Sequence, residues 1–300
     1  MTATLIDGRA IAARVRAEVA GEVAAFTEQH GRPPGLATVL VGDDAASAVY
    51  VGGKQRASRE VGMVPVDRRL PADASVAQVE AEIDALNEDP AVSGILLQLP
   101  VPEHLDGGVL TELVRPEKDV DGLTTLNAGM LALGTPQLVG ATPLGVMVLL
   151  EEAGVELQGA EAVVVGRSNL FGKPMAQLLL AANATVTVCH SRTRDLAAVC
   201  ARADVLIAAI GRPRMLGAEH VKPGAVVIDV GMNRLTPEQA GNKSGLVGDV
   251  DHAAVAELAS AITPVPGGVG PMTIAMLLRN TLQAAGMQLD SGRSSTRAAA

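Results

Sequence analysis

Four polar residues in the first half of the chain, Tyr50, Lys54, Gln98 and Asp121, form a set able to move protons and bind a polar ligand. Tyr50 and Lys54 stand four apart in Ser47-Ala48-Val49-Tyr50-Val51-Gly52-Gly53-Lys54. A helix there stacks both on one face. An ordinary lysine, with a pKa of about 10.4, is a cation at neutral pH; burial lowers that value and makes it an acid/base candidate. Gln98 closes an expected strand, where α/β sheets bind ligands. Being neutral, it can orient Lys54 without locking it as a cation. Asp121 lies in the acidic turn Lys118-Asp119-Val120-Asp121-Gly122 and can accept paired hydrogen bonds. Each segment also admits a plain reading, as surface helix, strand end or solvated loop.

The second half carries phosphate-binding chemistry. Gly166-Arg167-Ser168-Asn169-Leu170-Phe171-Gly172 follows an apolar run and opens a helical pattern. Such a loop lets backbone N–H groups and a helix N-terminus approach a phosphate. The usual G-x-G-x-x-G spacing is absent, and a simple strand-to-helix turn is the alternative. The next strand ends in His190-Ser191-Arg192-Thr193. A hydroxyl and a guanidinium suit a 2′-phosphate, and no carboxylate repels it, so NADP is expected rather than NAD.

The elements that must position these groups alternate. Strands are expected at Leu36–Val41 and Gly94–Leu99, with helices at Ser47–Val61 and Val76–Leu86. A second series follows: a helix at Leu144–Ala153, a strand at Ala162–Val165, and a helix at Lys173–Ala182 with Pro174 in its first turn. Then come a strand at Thr185–Cys189, a helix at Arg194–Arg202, and strands at Val205–Ile210 and Ala225–Val230. This is the β-α-β-α-β rhythm of a nucleotide-binding half-fold on a parallel sheet. Met272–Ala285 reads as a final helix, and the Ser-, Arg- and Ala-rich tail from Asp290 as disordered. A domain boundary is expected near Gly140–Thr142.

Composition sets the outer limits. Two domains suit 300 residues, and 48% hydrophobic content supports well-buried cores. With only 1% aromatic residues those cores must be built from aliphatic side chains, and the lone tyrosine, Tyr50, stands out. A net charge of -9 disfavours a nucleic-acid partner. Cys189 and Cys200 lie in or beside apolar runs and read as reduced core residues; no metal site is expected. The start of the chain reads as an amphipathic helix (Ile11, Val15, Val19), without a signal peptide or a membrane span. A cytoplasmic location is the expectation.

Six signatures together resemble the bifunctional methylenetetrahydrofolate dehydrogenase/methenyltetrahydrofolate cyclohydrolases. They are S-x-x-Y-x-x-x-K at Ser47–Lys54, Q-L-P-x-P from Gln98, K-D-V-D-G from Lys118, G-R-S-N-x-x-G-K-P at Gly166–Pro174, C-H-S-R-T at Cys189–Thr193, and P-G-G-V-G-P-M-T at Pro266–Thr273. The resemblance runs in unbroken order from about Leu5 to Leu289. It implies an α/β fold of two domains flanking a cleft. Residues 1–140, joined by a returning helix at 271–289, would form a folate domain, and 141–270 a Rossmann-like NADP domain, with 290–300 a disordered tail. It implies tetrahydrofolate derivatives as substrates, a homodimer, no metal, and a place in one-carbon metabolism and purine biosynthesis. Tyr50, Lys54, Gln98 and Asp121 become the catalytic set. Tyr50, Ser47, Asp121, Pro266, Gly267 and Gly268 would contact folate, and Gly166, Arg167, Ser168, Gly172, Ser191, Arg192 and Met232 the cofactor. Three positions depart from the family pattern. Leu123-Thr124-Thr125 stands where Phe-His-Pro is usual, Ala141 where Cys is frequent, and Phe171 where a smaller aliphatic residue is common. Two other readings are another NADP-dependent dehydrogenase of shikimate-dehydrogenase-like architecture and a catalytically silent NADP-binding protein.

Overall fold

In the computed structural model, which describes residues 2–235 and 245–298, the order begins β1 (Thr4–Leu5), α1 (Gly8–His30), β2 (Gly35–Val41), α2 (Ala45–Glu60), β3 (Val64–Leu70), α3 (Val76–Glu88) and β4 (Gly94–Leu97). It continues α4 (Gly107–Glu112), α5 (Thr125–Ala132), α6 (Ala141–Glu152), β5 (Glu161–Val165), α7 (Gly172–Ala181), β6 (Thr185–Cys189), α8 (Leu196–Cys200), β7 (Val205–Ala208) and β8 (Val226–Asp229). It closes with β9 (Asn233–Arg234), β10 (Leu246–Val247), α9 (His252–Val255), β11 (Ala261–Ile262) and α10 (Val269–Ala298).

The chain forms two α/β units. One comprises Arg14–Ala141 and Ile274–Ala300 and is built on the parallel sheet β3-β2-β4. Its central strand β2, GLATVLV, is buried at every position. That is what a parallel strand covered on both faces requires. The register Leu36↔Gly94 to Val39↔Leu97 delivers Gln98 to the carboxyl end of β4, where its N–H donates to the Val39 carbonyl at 2.8 Å. Helix α3 starts at a capping box between Ser75 and Gln78. Near the other end of this unit, Asn280 of α10 is buried and donates to the carbonyls of Val120 and Val139 at 2.8 and 2.7 Å.

The second unit comprises Met1–Ala13 and Thr142–Thr273. Its six-stranded sheet, ordered β1-β11-β8-β7-β5-β6, is parallel throughout. Val163, Val165, Leu206, Ala208, Val227 and Ile262 anchor its core, with both cysteines among them.

Several elements differ from the sequence expectation. Residues 2–13 belong with the six-stranded sheet rather than with residues 14–140, because β1 pairs with β11 (Thr4↔Ala261). The strand expected to run to Leu99 ends at Leu97, and the helix expected at Arg194–Arg202 shortens to Leu196–Cys200, started by Asp195. Strand β3 was unpredicted: it lies at a sheet edge and carries Asp67, Arg68 and Arg69, charges that suit a solvated edge. Helix α10 continues to Ala298, so the tail expected to be disordered from Asp290 is helical that far. Ala299 and Ala300 lie outside the described residues.

Candidate active site

Helix α2 sets the first part of the site. Asp44 caps it, accepting from the Ser47 N–H at 2.7 Å. The Ser47 hydroxyl also serves Asp44 and is buried, so this residue fixes the start of the helix. One face then carries Tyr50, Val51, Lys54 and Ser58 in succession. Lys54 is 7% exposed, and its Nζ donates to Gln98 Oε1 at 3.0 Å. Gln98 Nε2 donates to the Leu99 carbonyl at 2.7 Å, which turns the amide oxygen toward the lysine. Burial pushes the Lys54 pKa down, and the negative charge of Asp121 opposes that shift. Tyr50 is half-buried, and burial pushes its phenol up, so it stays an O–H at neutral pH.

The Lys118–Gly122 turn divides its charges between two tasks. Lys118 is buried, and its Nζ donates to the carbonyls of Leu86, Asn87 and Asp89 at 3.1, 2.8 and 2.8 Å. A cation there satisfies the end of α3. Asp119 Oδ2 accepts from the Thr124 N–H, the Thr124 hydroxyl and Asn127 Nδ2, at 2.8, 2.8 and 2.9 Å. Both are spent on the fold. Asp121 is the half-buried one, its carboxyl pushed up by burial, with Lys54 opposing and Asp119 reinforcing the rise. The unusual threonines belong to this framework. Thr124 caps α5, and Thr125 donates to the Glu112 carboxylate from both N–H and hydroxyl. Ala141, another departure, is buried at the start of α6.

In the six-stranded unit, β5 runs into the Gly166–Gly172 loop. Gly166 has φ +140°, and a Cβ there would lie 2.2 Å from the Ala209 carbonyl oxygen. A Cβ on Gly172 would lie 2.1 Å from the Gly166 oxygen. Only glycine fits both positions, and the loop folds back tightly enough to present backbone to a ligand. Ser168 supports it by accepting from the Phe171 N–H at its Oγ, 3.2 Å, and from the Lys173 N–H at its carbonyl, 3.1 Å. Phe171, at the cap position of α7, gives that helix no side-chain cap bond. Its ring is buried, so the larger side chain adds to the core beneath the loop. Arg167 and Ser168 are exposed.

After β6, the His190 N–H donates to Thr193 Oγ1, and the Thr193 N–H to the His190 carbonyl, both at 2.8 Å. This turn presents Ser191 and Arg192 to solvent. Among the described residues neither Arg167 nor Arg192 forms an ion pair. Both guanidiniums are therefore available to an anionic ligand. Met232, 44% exposed, follows β8. In the Pro266–Gly268 loop, Gly267 has φ +116° and lies beside the Arg9 side chain.

The structure thus bonds Lys54 to Gln98, couples Lys54 to Asp121 by charge, and gathers the glycine loop with the strand-end arginine in one sheet. Sequence reading passed over Asp229 and Asp249, both fully enclosed in the six-stranded unit. An aspartate in a Gly-Asp-Val-Asp stretch carries no sequence signal that distinguishes a buried acceptor from a solvated loop.

Two family models match the chain. Residues 6–121 match the tetrahydrofolate dehydrogenase/cyclohydrolase catalytic domain, and residues 140–289 the NAD(P)-binding domain of the same family. The bifunctional protein FolD 2 of Frankia alni is 62% identical over 285 residues, covering 95% of this chain and 96% of its own. The crystal structure of the bifunctional FolD methylenetetrahydrofolate dehydrogenase/cyclohydrolase of Campylobacter jejuni superposes with a TM-score of 0.90 at 44% identity, covering 95% of this chain and 99% of its own. That of the Trypanosoma brucei enzyme, complexed with NADP and an inhibitor, gives 0.92 at 39% identity, covering 96% and 99%.

Proposed function

The chain belongs to the tetrahydrofolate dehydrogenase/cyclohydrolase family, and from that premise we propose how its own residues carry out the two reactions. It oxidises 5,10-methylenetetrahydrofolate to 5,10-methenyltetrahydrofolate with NADP, then hydrolyses the product to 10-formyltetrahydrofolate. The observation that carries the reading is the buried Lys54 held by a neutral partner, Gln98, at 3.0 Å.

The glycine-lined turn at Gly166–Gly172, the uncapped start of α7 and the unpaired Arg192 suit an NADP pyrophosphate and 2′-phosphate. Arg167, Ser168 and Ser191 add donors to that site, and Met232 an apolar surface. NADP, when bound, supplies the hydride acceptor. In the first reaction the protein's task is orientation, since two nitrogens flank the reacting carbon and carry the developing charge. Asp121 accepts paired hydrogen bonds from the amino-pyrimidine edge of the pterin, and Tyr50 lies against its ring. Ser47 acts by donating to Asp44, which caps the helix that carries Tyr50 and Lys54.

The second reaction needs protons moved. Water adds to the methenyl carbon and loses a proton; the carbon–nitrogen bond then breaks as the departing nitrogen gains a proton and the carbinol O–H releases its own to form the formyl C=O, so the reaction releases one proton overall. Lys54 in its neutral form takes the first proton and, as ammonium, returns one to the nitrogen. Burial makes the neutral form accessible, and Gln98 holds Nζ in place without an added charge.

Relatives at about 60% identity that carry the bifunctional name support this reading over another NADP-dependent dehydrogenase or a silent NADP-binding protein. The finer proposals follow: a homodimer, acting in the cytoplasm, supplying formyl groups to purine biosynthesis, with folate held by the three-stranded unit and NADP by the six-stranded one. Among the described residues no helix is long and apolar enough to cross a membrane. The test is purified protein given methylenetetrahydrofolate and NADP. Methenyl absorbance should rise and then decay faster than spontaneous hydrolysis. Absence of both would refute the proposed function.

A further inference from the structure

The sheet order reverses between β5 and β7, with β6 added on one side of β5 and β7 and β8 on the other, so the loops after β5, β7 and β8 stand at the end of the sheet where a dinucleotide binds. Two of those loops converge on one carboxylate. Asp249, fully buried, accepts at Oδ2 from the N–H groups of Ile210 and Gly211, at 2.5 and 3.0 Å. Its Oδ1 accepts from the Arg212 N–H at 2.9 Å and from Asn233 Nδ2 at 2.8 Å. Ile210–Arg212 follow β7, and Asn233 follows Met232 after β8.

A second buried carboxylate underlies the first. Asp229, at the end of β8, accepts from the N–H groups of Gly231 and Asp249 at Oδ1, at 3.0 and 2.9 Å, and from Val250 at Oδ2, at 3.0 Å. Glycines make the close approach possible: a Cβ on Gly248 would lie 1.7 Å from Asp229 Oδ2, and one on Gly231 2.3 Å from Asp249 Cγ. No cation among the described residues pairs with either aspartate. A buried carboxylate without a counter-ion is costly unless its lone pairs are filled, and here backbone N–H groups fill most of them. The same contacts fix the loops. Ala209, just before Ile210, presents the carbonyl that Gly166 of the phosphate loop packs against.

We propose that Asp249 is a positioning residue for the NADP site, tying the loop after β7 to the loop after β8 and fixing the backbone that faces the cofactor. Asp229 acts one layer further in by holding the Asp249 backbone. The proposal rests on reading the six-stranded unit as the NADP site. It goes beyond that reading because Asp249 makes its bonds within the protein and need not touch the cofactor.

Asp249→Asn in the full chain is the first test, because an amide turns one acceptor into a donor facing backbone N–H groups. NADPH affinity by calorimetry should fall about tenfold or more, the scale of a lost charge-assisted hydrogen bond. KM for NADP should rise with it, while kcat at saturating NADP and KM for methylenetetrahydrofolate change far less. Amide exchange at Ile210–Arg212 should accelerate. If Asp249→Asn fails to fold, Asn233→Ala takes its place. It leaves the three backbone bonds to Asp249 and should weaken NADPH severalfold. Unchanged NADPH affinity in a folded variant would overturn the proposal, as would equal loss of affinity for NADPH and folate. Wild-type protein that does not bind NADPH would remove the cofactor reading and this proposal with it.

Discussion

Lys54 and Asp249 are both charged side chains taken out of water, and the structure treats them in opposite ways. Among the described residues the Lys54 side chain makes one hydrogen bond, to the neutral oxygen of Gln98, and its N–H donors are far from exhausted. Asp249 accepts four hydrogen bonds, three of them from consecutive backbone N–H groups. Its neighbour Asp229 is similarly engaged, though burial first and Asp249 beside it push the Asp229 carboxyl up to about 6. A buried group with an incomplete shell can exchange its proton with a substrate. A group whose shell is filled by backbone spends its charge on holding loops still. The contrast separates chemistry from scaffolding more sharply than residue type does.

Removing the exchangeable group should have the largest effect. Lys54→Gln keeps length and polarity but carries no proton, so cyclohydrolase activity should fall by about 10²–10⁴-fold. Dehydrogenase activity should fall much less, and methenyltetrahydrofolate should accumulate. Both rates are read on one preparation, corrected for spontaneous hydrolysis; equal loss of the two would make Lys54 a positioning group like Asp249.

Next in size is the exposed cation at the end of β6. Arg192→Asp should lower kcat/KM for NADP by about 10–100-fold, the worth of a charge-assisted bond, with added repulsion. NAD should be little affected. Equal use of both cofactors by the wild type would contradict the role given to Arg192.

Asp121→Ala should weaken folate binding about tenfold or more while leaving NADP binding nearly intact, in separate titrations of each ligand. Unchanged folate affinity would put Asp121 with Asp119, among the scaffold carboxylates. The smallest effect belongs to that scaffold. Thr124→Ala removes the cap of α5 and a partner of Asp119, and should cost about 1 kcal/mol of stability in thermal unfolding, with kcat little changed. A large kcat loss at unchanged stability would place Thr124 in the chemistry.

The Lys118–Gly122 turn shows how far sequence could reach. Its three charged residues look alike in sequence, yet Lys118 caps α3, Asp119 holds the Thr124–Asn127 turn, and Asp121 alone is left half-exposed with Lys54 in electrostatic reach. The Tyr50–Lys54 spacing and the Gln98 strand end were legible because helix and strand periods dictate them. The partner of Lys54 was a chemical expectation, and the 3.0 Å bond needed the register of β2 on β4. Asp249 was not legible, because its four donors come from segments 16 to 39 residues away. Likewise, two residues of β1 pair with β11 far along the chain, too short a run to carry a pattern.

The proton-carrying role of Lys54 is tested most directly by the pH dependence of cyclohydrolase activity in wild type and Gln98→Glu. Burial lowers the Lys54 pKa, so the neutral base should appear, and the rate rise, at a pH below the ordinary lysine value of about 10.4. A carboxylate at position 98 favours the ammonium form and should shift the rise to higher pH, lowering the rate at neutral pH. A profile that is the same in both proteins, or that shifts to lower pH in Gln98→Glu, would contradict the account.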